Sequence, residues 1–182
     1  MRVIGGSARG RPLQAPAGQA TRPTGDRVRQ AIFNALGSQI DLDGARVADL
    51  FAGSGALGIE ALSRGAAHVT FVEQDPSVRR VIAHNLHTCG FEARARVLGG
   101  DANDVVSTLG PLDLALCDPP YRFEGWELLL GRLDAQWVVI ESDREIDAPA
   151  GWELARTKRY GSTVVRFLQR AANGSEGGSE RG

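Results

Sequence analysis

Short apolar runs alternate with longer stretches of helical spacing through the middle of the chain. The runs have strand length and fall at 46–51, 68–73, 94–98, 112–118 and 137–141. Strands that alternate with helices are typical of a parallel sheet with crossover helices. The pattern therefore predicts an α/β, Rossmann-like fold with a mostly parallel sheet.

Local signals mark some helix boundaries. Asp75-Pro76 offers an N-cap followed by proline at the first helical position, and Gly90 offers a stop. These residues predict a helix of about three turns. Further helical patterns run over 26–36 and 56–64.

Both ends of the chain depart from this alternation. Two strand-like runs, 152–158 and 163–168, surround a turn at Gly161 and predict an antiparallel C-terminal hairpin. Near the start, 2–4 and 11–13 flank glycines and predict a small basic hairpin. The tail, 171–182, is rich in glycine, serine and charge, so it is expected to be disordered. We expect a hairpin extension over 1–20, one α/β domain over 21–170, and this tail.

Length and composition fit one α/β domain, since 182 residues with 42% hydrophobic content can bury a substantial core. Cys89 and Cys117 lack CxxC spacing, which predicts neither disulfides nor zinc and favours a reducing, cytoplasmic setting. No apolar run approaches the ~20 residues of a membrane span. The first residues also lack a signal peptide's apolar core. We expect a cytoplasmic protein with no membrane partner.

Charge is unevenly distributed along the chain. Residues 1–30 contain six arginines and one acidic residue, so the rest carries a net charge of −6 in a protein whose overall charge is −1. Arginine pairs with phosphate through two hydrogen bonds and stacks on bases. This asymmetry favours a nucleic-acid-binding arm over the alternative, a merely solvated arginine-rich surface. The candidate RNA-binding residues are Arg2, Arg9, Arg11, Arg22 and Arg27.

A glycine-rich loop follows the first predicted strand. Glycines allow a sharp turn and close approach to a ligand, but Gly53, Gly55 and Gly58 also satisfy G-x-G-x-x-G, so a dinucleotide site is an alternative. Asp49, just before the loop, would attract a cationic sulfonium and repel a pyrophosphate. This favours S-adenosylmethionine as cofactor. The candidate contacts here are Asp49, Phe51, Ala52, Gly53, Ser54 and Gly55.

Two more carboxylates follow predicted strands. Glu73 ends the second strand, where it could accept hydrogen bonds from both ribose hydroxyls of an adenosine-containing ligand. Asp101 could accept a hydrogen bond from the adenine amino group, with Ala102 against the ring. The alternative for Asp101 is a helix N-cap.

The sharpest motif is Asp118-Pro119-Pro120-Tyr121, directly after the buried strand at 112–117. The prolines fix the backbone, so the Asp118 carboxylate and the Pro119 carbonyl become rigid acceptors for the two protons of an NH2 group. Tyr121 can stack on the base that carries this group. A plain turn is the alternative interpretation.

This arrangement suits methylation of an exocyclic amine, whose lone pair is delocalised into the base. Accepting both hydrogens frees that lone pair to attack a methyl donor, and fixed acceptors are electrostatic preorganisation. No metal is needed. His84 and His87 have i, i+3 spacing without a third ligand, which favours a solvated helix face over a metal site.

Four stretches are distinctive, namely RVIGGSARGRPL, TRPTGDRVRQAIFN, DLFAGSGALGIEALSR and DPPY. Through them the chain, from Arg2 to about Leu168, resembles the bacterial 16S ribosomal RNA guanine-N2 methyltransferases of the RsmD type. This resemblance implies the seven-stranded class I S-adenosylmethionine-dependent methyltransferase fold. It also implies that Phe51 to Gly55, Glu73 and Asp101 bind cofactor, and that Asp118 to Tyr121 hold the target guanine.

The resemblance extends to substrate and partners. It implies methylation of 16S rRNA in the small ribosomal subunit or its assembly intermediate, and we expect a monomer. The segment around Thr24 is similar to the family's N-terminal motif that closes over cofactor and RNA, although Gly25 and Gln30 depart from it. An adenine-N6 methyltransferase acting on DNA or RNA, and an inactive RNA-binding module, are the rival hypotheses.

Overall fold

The computed structural model describes residues 1–17 and 23–172, and for residues 23 and 24 it describes the backbone alone. The helices are α1 (Pro23–Leu36), α2 (Ala56–Ser63), α3 (Pro76–Cys89), α4 (Ala102–Val105) and α5 (Trp126–Arg132). The strands are β1 (Arg46–Asp49), β2 (His68–Val72), β3 (Ala95–Leu98), β4 (Leu112–Cys117), β5 (Ala135–Ser142), β6 (Trp152–Tyr160) and β7 (Thr163–Arg170).

The strands form one seven-stranded sheet in the order β3-β2-β1-β4-β5-β7-β6. The first five strands run parallel, and β7 pairs antiparallel with both β5 and β6. This confirms the α/β fold, the mostly parallel sheet and the antiparallel C-terminal hairpin. The parallel order reverses beside β1, where β2 and β4 flank it, and ligands of open α/β sheets bind at such a point.

Element boundaries differ slightly from those predicted. β1 ends at Asp49 rather than at residue 51. The Leu50 amide still donates to the Leu116 carbonyl, and the Ala52 amide donates to the Val72 carbonyl, so the backbone remains paired beyond the strand. α3 matches the prediction, with the Asp75 side chain capping its start and Gly90 in the left-handed conformation at its end.

Successive side chains of a strand point to opposite faces of the sheet, so the strands contribute to two hydrophobic cores, one on each face. Leu114 and Leu116 of β4 pack on the side of α1, α2 and α3. Ala115 and Cys117 pack on the other side, with α4 and α5. The sheet is therefore covered on both faces, as parallel sheets are.

The N-terminal segment packs on the first of these cores. Arg2 and Pro12 form an antiparallel bridge, and Val3, Ala8 and Leu13 are buried in the core beside α1 and α2. The buried carboxylate of Glu60, on α2, accepts the amide hydrogens of residues 4 and 5, each at 2.8 Å. The segment is thus fixed to the helix that follows the glycine loop.

Close approach explains one glycine of this segment. Gly6 has φ +74°, and a Cβ there would lie 1.8 Å from the Ser63 carbonyl oxygen. Ser63 in turn donates its hydroxyl to the Gly5 carbonyl at 2.5 Å and accepts the Ala8 amide at 2.9 Å. The division at residue 20 and the disorder of the tail stay predictions, since residues 18–22 and 173–182 lie outside the described chain.

Candidate active site at the carboxyl edge of the sheet

Three predicted carboxylates meet at the carboxyl ends of neighbouring strands. Asp49 ends β1, Glu73 follows β2 and Asp118 follows β4. β1 lies between the other two strands, and the charges of both Asp118 and Glu73 act on Asp49. The fold therefore brings together residues that lie far apart in sequence.

Asp49 is the buried member of this group, at 1% exposure. Its Oδ2 accepts the Gly58 amide at 2.9 Å, whereas its buried Oδ1 has no hydrogen-bond partner among the described residues. Burial raises the pKa of Asp49 to about 7, and the Gly58 hydrogen bond offsets only part of that rise. An ionised carboxylate in this position calls for a cationic ligand.

The glycine loop is shaped for a ligand that approaches the backbone. Gly53 and Gly55 have φ of +53° and +78°, the left-handed region that favours glycine. The Gly53 amide donates to Glu73 Oε2 at 3.0 Å, so the loop is tied to the end of β2. Ser54 is half-buried, and its hydroxyl lies 3.7 Å from the Met1 sulfur.

The remaining predicted cofactor contacts line the same edge. Phe51 is half-buried and Ala52 is buried, both between β1 and α2. Asp101 caps α4, because its Oδ1 accepts the Asn103 amide at 2.8 Å, and its Oδ2 accepts the Gln74 amide group at 2.7 Å. One oxygen of Asp101 therefore serves as the helix N-cap. The contact of Asp101 and Ala102 with adenine stays a prediction.

The Asp118–Tyr121 segment forms an irregular turn directly after β4. Pro119 is buried whereas Asp118 and Pro120 are exposed, so the middle of the turn is embedded and its flanks face solvent. Tyr121 at the end of the turn is 40% exposed. The Phe123 amide donates to the Pro120 carbonyl at 2.9 Å and closes the turn.

Sequence reasoning missed three side chains that hold this site together. Asn85 of α3 is fully buried and donates to the Ser54 carbonyl at 2.8 Å. Phe123 packs edge-on against Phe51, with ring centroids 5.0 Å apart. Arg144 donates to the carbonyls of Tyr121, which ends the Asp118–Tyr121 turn, and of Phe123 just beyond it. Only Asn85 left a signal, a polar residue on the apolar face of a helix.

A cysteine nucleophile and a metal site are two alternative kinds of chemistry, and the described part of the chain supports neither. Burial raises the pKa of the Cys117 thiol well above its usual range, which makes it a poor nucleophile. No cluster of three metal-ligating side chains occurs among the described residues. His87 is exposed and lies 2.6 Å from Glu92.

The structure separates the predicted RNA-binding arginines. Arg2, Arg9 and Arg27 line one cleft of about 420 Å³ between the N-terminal segment and α1. Arg11 instead donates to the Thr88 carbonyl at the end of α3, at 2.7 Å. Arg22 lies outside the described residues, and so does the side chain of Thr24 among the predicted cofactor contacts.

The residues at the sheet edge fit a cationic, adenosine-containing cofactor. The unpartnered buried oxygen of Asp49 suits a positive group, and the left-handed glycines leave room for close backbone approach. Fold and site together define a class I S-adenosylmethionine-dependent methyltransferase. Within the described residues, no helix is long and apolar enough to cross a membrane.

The chain matches the family described as Conserved hypothetical protein 95 over residues 1–169, and it belongs to that family. It is 40% identical over 185 residues to the ribosomal RNA small subunit methyltransferase D of Escherichia coli strain K12, covering 96% of this chain and 92% of that protein. The protein of the same name from Haemophilus influenzae is 35% identical over 183 residues, covering 93% of each.

A solved structure gives the same result for the fold. The Escherichia coli protein yhhF superposes with a TM-score of 0.82 at 38% identity, covering 94% of this chain and 98% of that one. The resemblance to the RsmD-type family is thereby confirmed.

Proposed function

We propose that the protein transfers a methyl group from S-adenosylmethionine to the exocyclic N2 of a specific guanine in 16S rRNA, within the small ribosomal subunit or its assembly intermediate. The observation that carries this proposal is the Asp118–Tyr121 turn, which lies at the same sheet edge as Asp49 and Glu73. Acceptors for an amino group and a site for a cationic donor are therefore neighbours.

The turn supplies the acceptors. The Asp118 carboxylate and the Pro119 carbonyl accept the two hydrogens of the amine, and fixed acceptors stabilise the positive charge that develops on its nitrogen. Tyr121, which is 40% exposed, stacks on the guanine. These groups orient the base and free its lone pair.

The cofactor is held by the loop and the three strand ends. Bound S-adenosylmethionine supplies an electrophilic methyl group. Asp49 would bind its positive charge, Glu73 would bind the ribose, and Asp101 with Ala102 would bind the adenine. The backbone from Phe51 to Gly55 and the residue Thr24 would provide further contacts with the ligand.

The RNA substrate is supported by the arginine-lined cleft. Arg2, Arg9 and Arg27 are exposed in this cleft. The acidic residue that lines it, Asp26, forms an ion pair with Arg29 at 2.9 Å. Three arginines directed at one concavity suit the phosphates of an RNA backbone.

Nucleoside analysis of RNA methylated in vitro tests the proposal. The protein is incubated with labelled S-adenosylmethionine and with 16S rRNA or 30S subunits from cells that lack this activity. N2-methylguanosine at one position is the expected product. N6-methyladenosine would establish the rival adenine specificity, and binding without transfer would establish an inactive RNA-binding module.

A further inference from the structure

An arginine outside every predicted motif donates hydrogen bonds to two backbone carbonyls at the end of the Asp118–Tyr121 turn. Arg144 follows β5, and its Nη1 donates to the Tyr121 carbonyl at 3.0 Å while its Nη2 donates to the Phe123 carbonyl at 3.0 Å. A planar guanidinium fixes the spacing of two acceptors in a way that a lysine cannot. The two carbonyls belong to the segment that continues directly from Asp118-Pro119-Pro120.

Arg144 is itself held from the other side. The buried Ser142 donates its hydroxyl to the Arg144 carbonyl at 2.5 Å. The next residue, Glu145, accepts from Arg166 of β7 at 2.7 Å, and Arg166 also donates to the Ile146 carbonyl at 2.5 Å. Because Arg166 is 7% exposed, this anchor lies in the interior.

Ring packing fixes the side-chain face of the same segment. Phe123 meets Phe51 of the glycine loop at 66° and Trp126 of α5 at 89°, with both centroid distances 5.0 Å. Ring packing holds the Phe123 side chain, and the Arg144 guanidinium restrains the backbone of the same segment through two carbonyls.

We propose that Arg144 is a positioning residue for methyl transfer, which sets the backbone of the base-binding turn through the Tyr121 and Phe123 carbonyls. It acts through the turn and does not contact the reacting atoms. The inference rests on the proposed function, since the turn is taken as the place where the base is held. Removing the guanidinium should therefore impair turnover more than binding.

The test compares Arg144→Ala and Arg144→Lys with Arg159→Ala in full-length protein. Arg159 is a matched control, because it is an exposed arginine whose ion pair is with Glu145, next to Arg144, and not with the turn. We expect Arg144→Ala to lower kcat by about ten- to a hundredfold, as misplacement by ~1 Å does. The KM for RNA and the affinity for S-adenosylmethionine should change less than threefold. Arg144→Lys should recover part of the loss, and Arg159→Ala should behave as wild type.

Hydrogen exchange provides a readout that does not depend on activity. In Arg144→Ala, the amides of residues 121–125 should exchange at least tenfold faster, including the Phe123 amide that donates to Pro120. Exchange in β4 and β5 should stay unchanged, whereas a general loss of stability would raise it everywhere. Arg144→Gln serves in place of the alanine variant if that protein does not fold.

Two outcomes would overturn the proposal. Normal kcat in Arg144→Ala would remove any role in positioning. A rise confined to the KM for RNA, with unchanged exchange at 121–125, would make Arg144 a direct RNA contact, since its side chain is 46% exposed. If the wild-type protein transfers no methyl group to rRNA, the proposed function fails, and the exchange experiment still decides whether Arg144 orders the turn.

Discussion

The carboxamide of Asn85 joins the glycine loop to the N-terminal segment. Its Nδ2 donates to the Ser54 carbonyl at 2.8 Å and to the Gln14 carbonyl at 2.9 Å, while its Oδ1 accepts the Gln14 amide at 2.8 Å. One buried side chain thus satisfies three backbone groups from two distant parts of the chain. The loop proposed to hold cofactor and the segment carrying the arginines share this support.

Asn85→Ala should weaken cofactor binding. The substitution removes three hydrogen bonds to backbone groups of Gln14 and Ser54, and a typical hydrogen bond contributes about 0.5–1.5 kcal/mol net. We expect the free energy of unfolding to fall by about 2–4 kcal/mol and the affinity for S-adenosylmethionine to fall about tenfold. Calorimetry and thermal denaturation measure the two effects. His84→Ala, one residue earlier on the exposed face of α3, is the control. Normal affinity with reduced stability would make Asn85 a folding residue only.

A second prediction concerns pH. Burial raises the pKa of Asp49 from its ordinary value of 3.8 to about 7, so the cofactor-free folded protein binds a proton more tightly than the unfolded chain. The stability from this proton is fully present below about pH 4 and is lost as pH rises through 7. Cofactor binding has the opposite dependence, because the cation favours ionised Asp49. Affinity for S-adenosylmethionine should rise about fivefold between pH 6 and 7.

Asp49→Asn separates these two effects. Asparagine retains an oxygen for the Gly58 amide but carries no charge. At pH 8 the cofactor-free variant should therefore melt at a higher temperature than wild type, and the difference should disappear toward pH 4. Its cofactor affinity should be lower and should not vary with pH between 6 and 7. Equal pH dependence in variant and wild type would exclude Asp49 as the titrating group.

Asp118→Ala tests the amine acceptor. Asp118 is exposed at the end of β4, so its loss should leave folding and cofactor affinity nearly intact. We expect kcat for methyl transfer to fall by roughly two orders of magnitude, as loss of a transition-state hydrogen-bond partner does, with little change in KM. Single-turnover kinetics measures the loss. Glu124→Ala, an exposed carboxylate beyond the same turn, should behave as wild type. Near-normal turnover in Asp118→Ala would remove the proposed acceptor.

The sequence predicted the sheet and the strand-end carboxylates because each depends on local pattern. Asp49, Glu73 and Asp118 follow apolar runs, and parallel strands bring their carboxyl ends to one edge. The support for the site depends on long-range contacts instead. Arg144 lies 23 residues from the Tyr121 carbonyl that it binds, in a polar loop without a motif.

The N-terminal segment shows the same limit. Its charge predicted an arm, but the burial of Val3 and Leu13 and the contacts with Glu60 fix it to α2. Charge counting could not tell which arginines share a surface. Only the fold places Arg27 of α1 beside Arg2 and Arg9, and Arg11 beside α3.

Because the arginines lie on separate surfaces, they should contribute differently to the salt dependence of RNA binding. Each phosphate contact contributes a slope of about −0.7 in log affinity against log salt for single strands. Replacing Arg2, Arg9 and Arg27 together by alanine should flatten the slope by about two, because all three side chains line one cleft. Arg11→Ala should change it by less than one, since that guanidinium is directed to the Thr88 carbonyl. Filter binding to the ribosomal substrate across a salt series measures both.

The affinity for S-adenosylmethionine should stay the same in each variant, because the backbone contacts of the segment with Glu60 do not involve these side chains. An Arg80→Ala/Arg96→Ala double variant, which removes two exposed charges outside the cleft, sets the background change. If the triple variant keeps the wild-type slope, RNA phosphates are bound elsewhere and the cleft is a solvated surface.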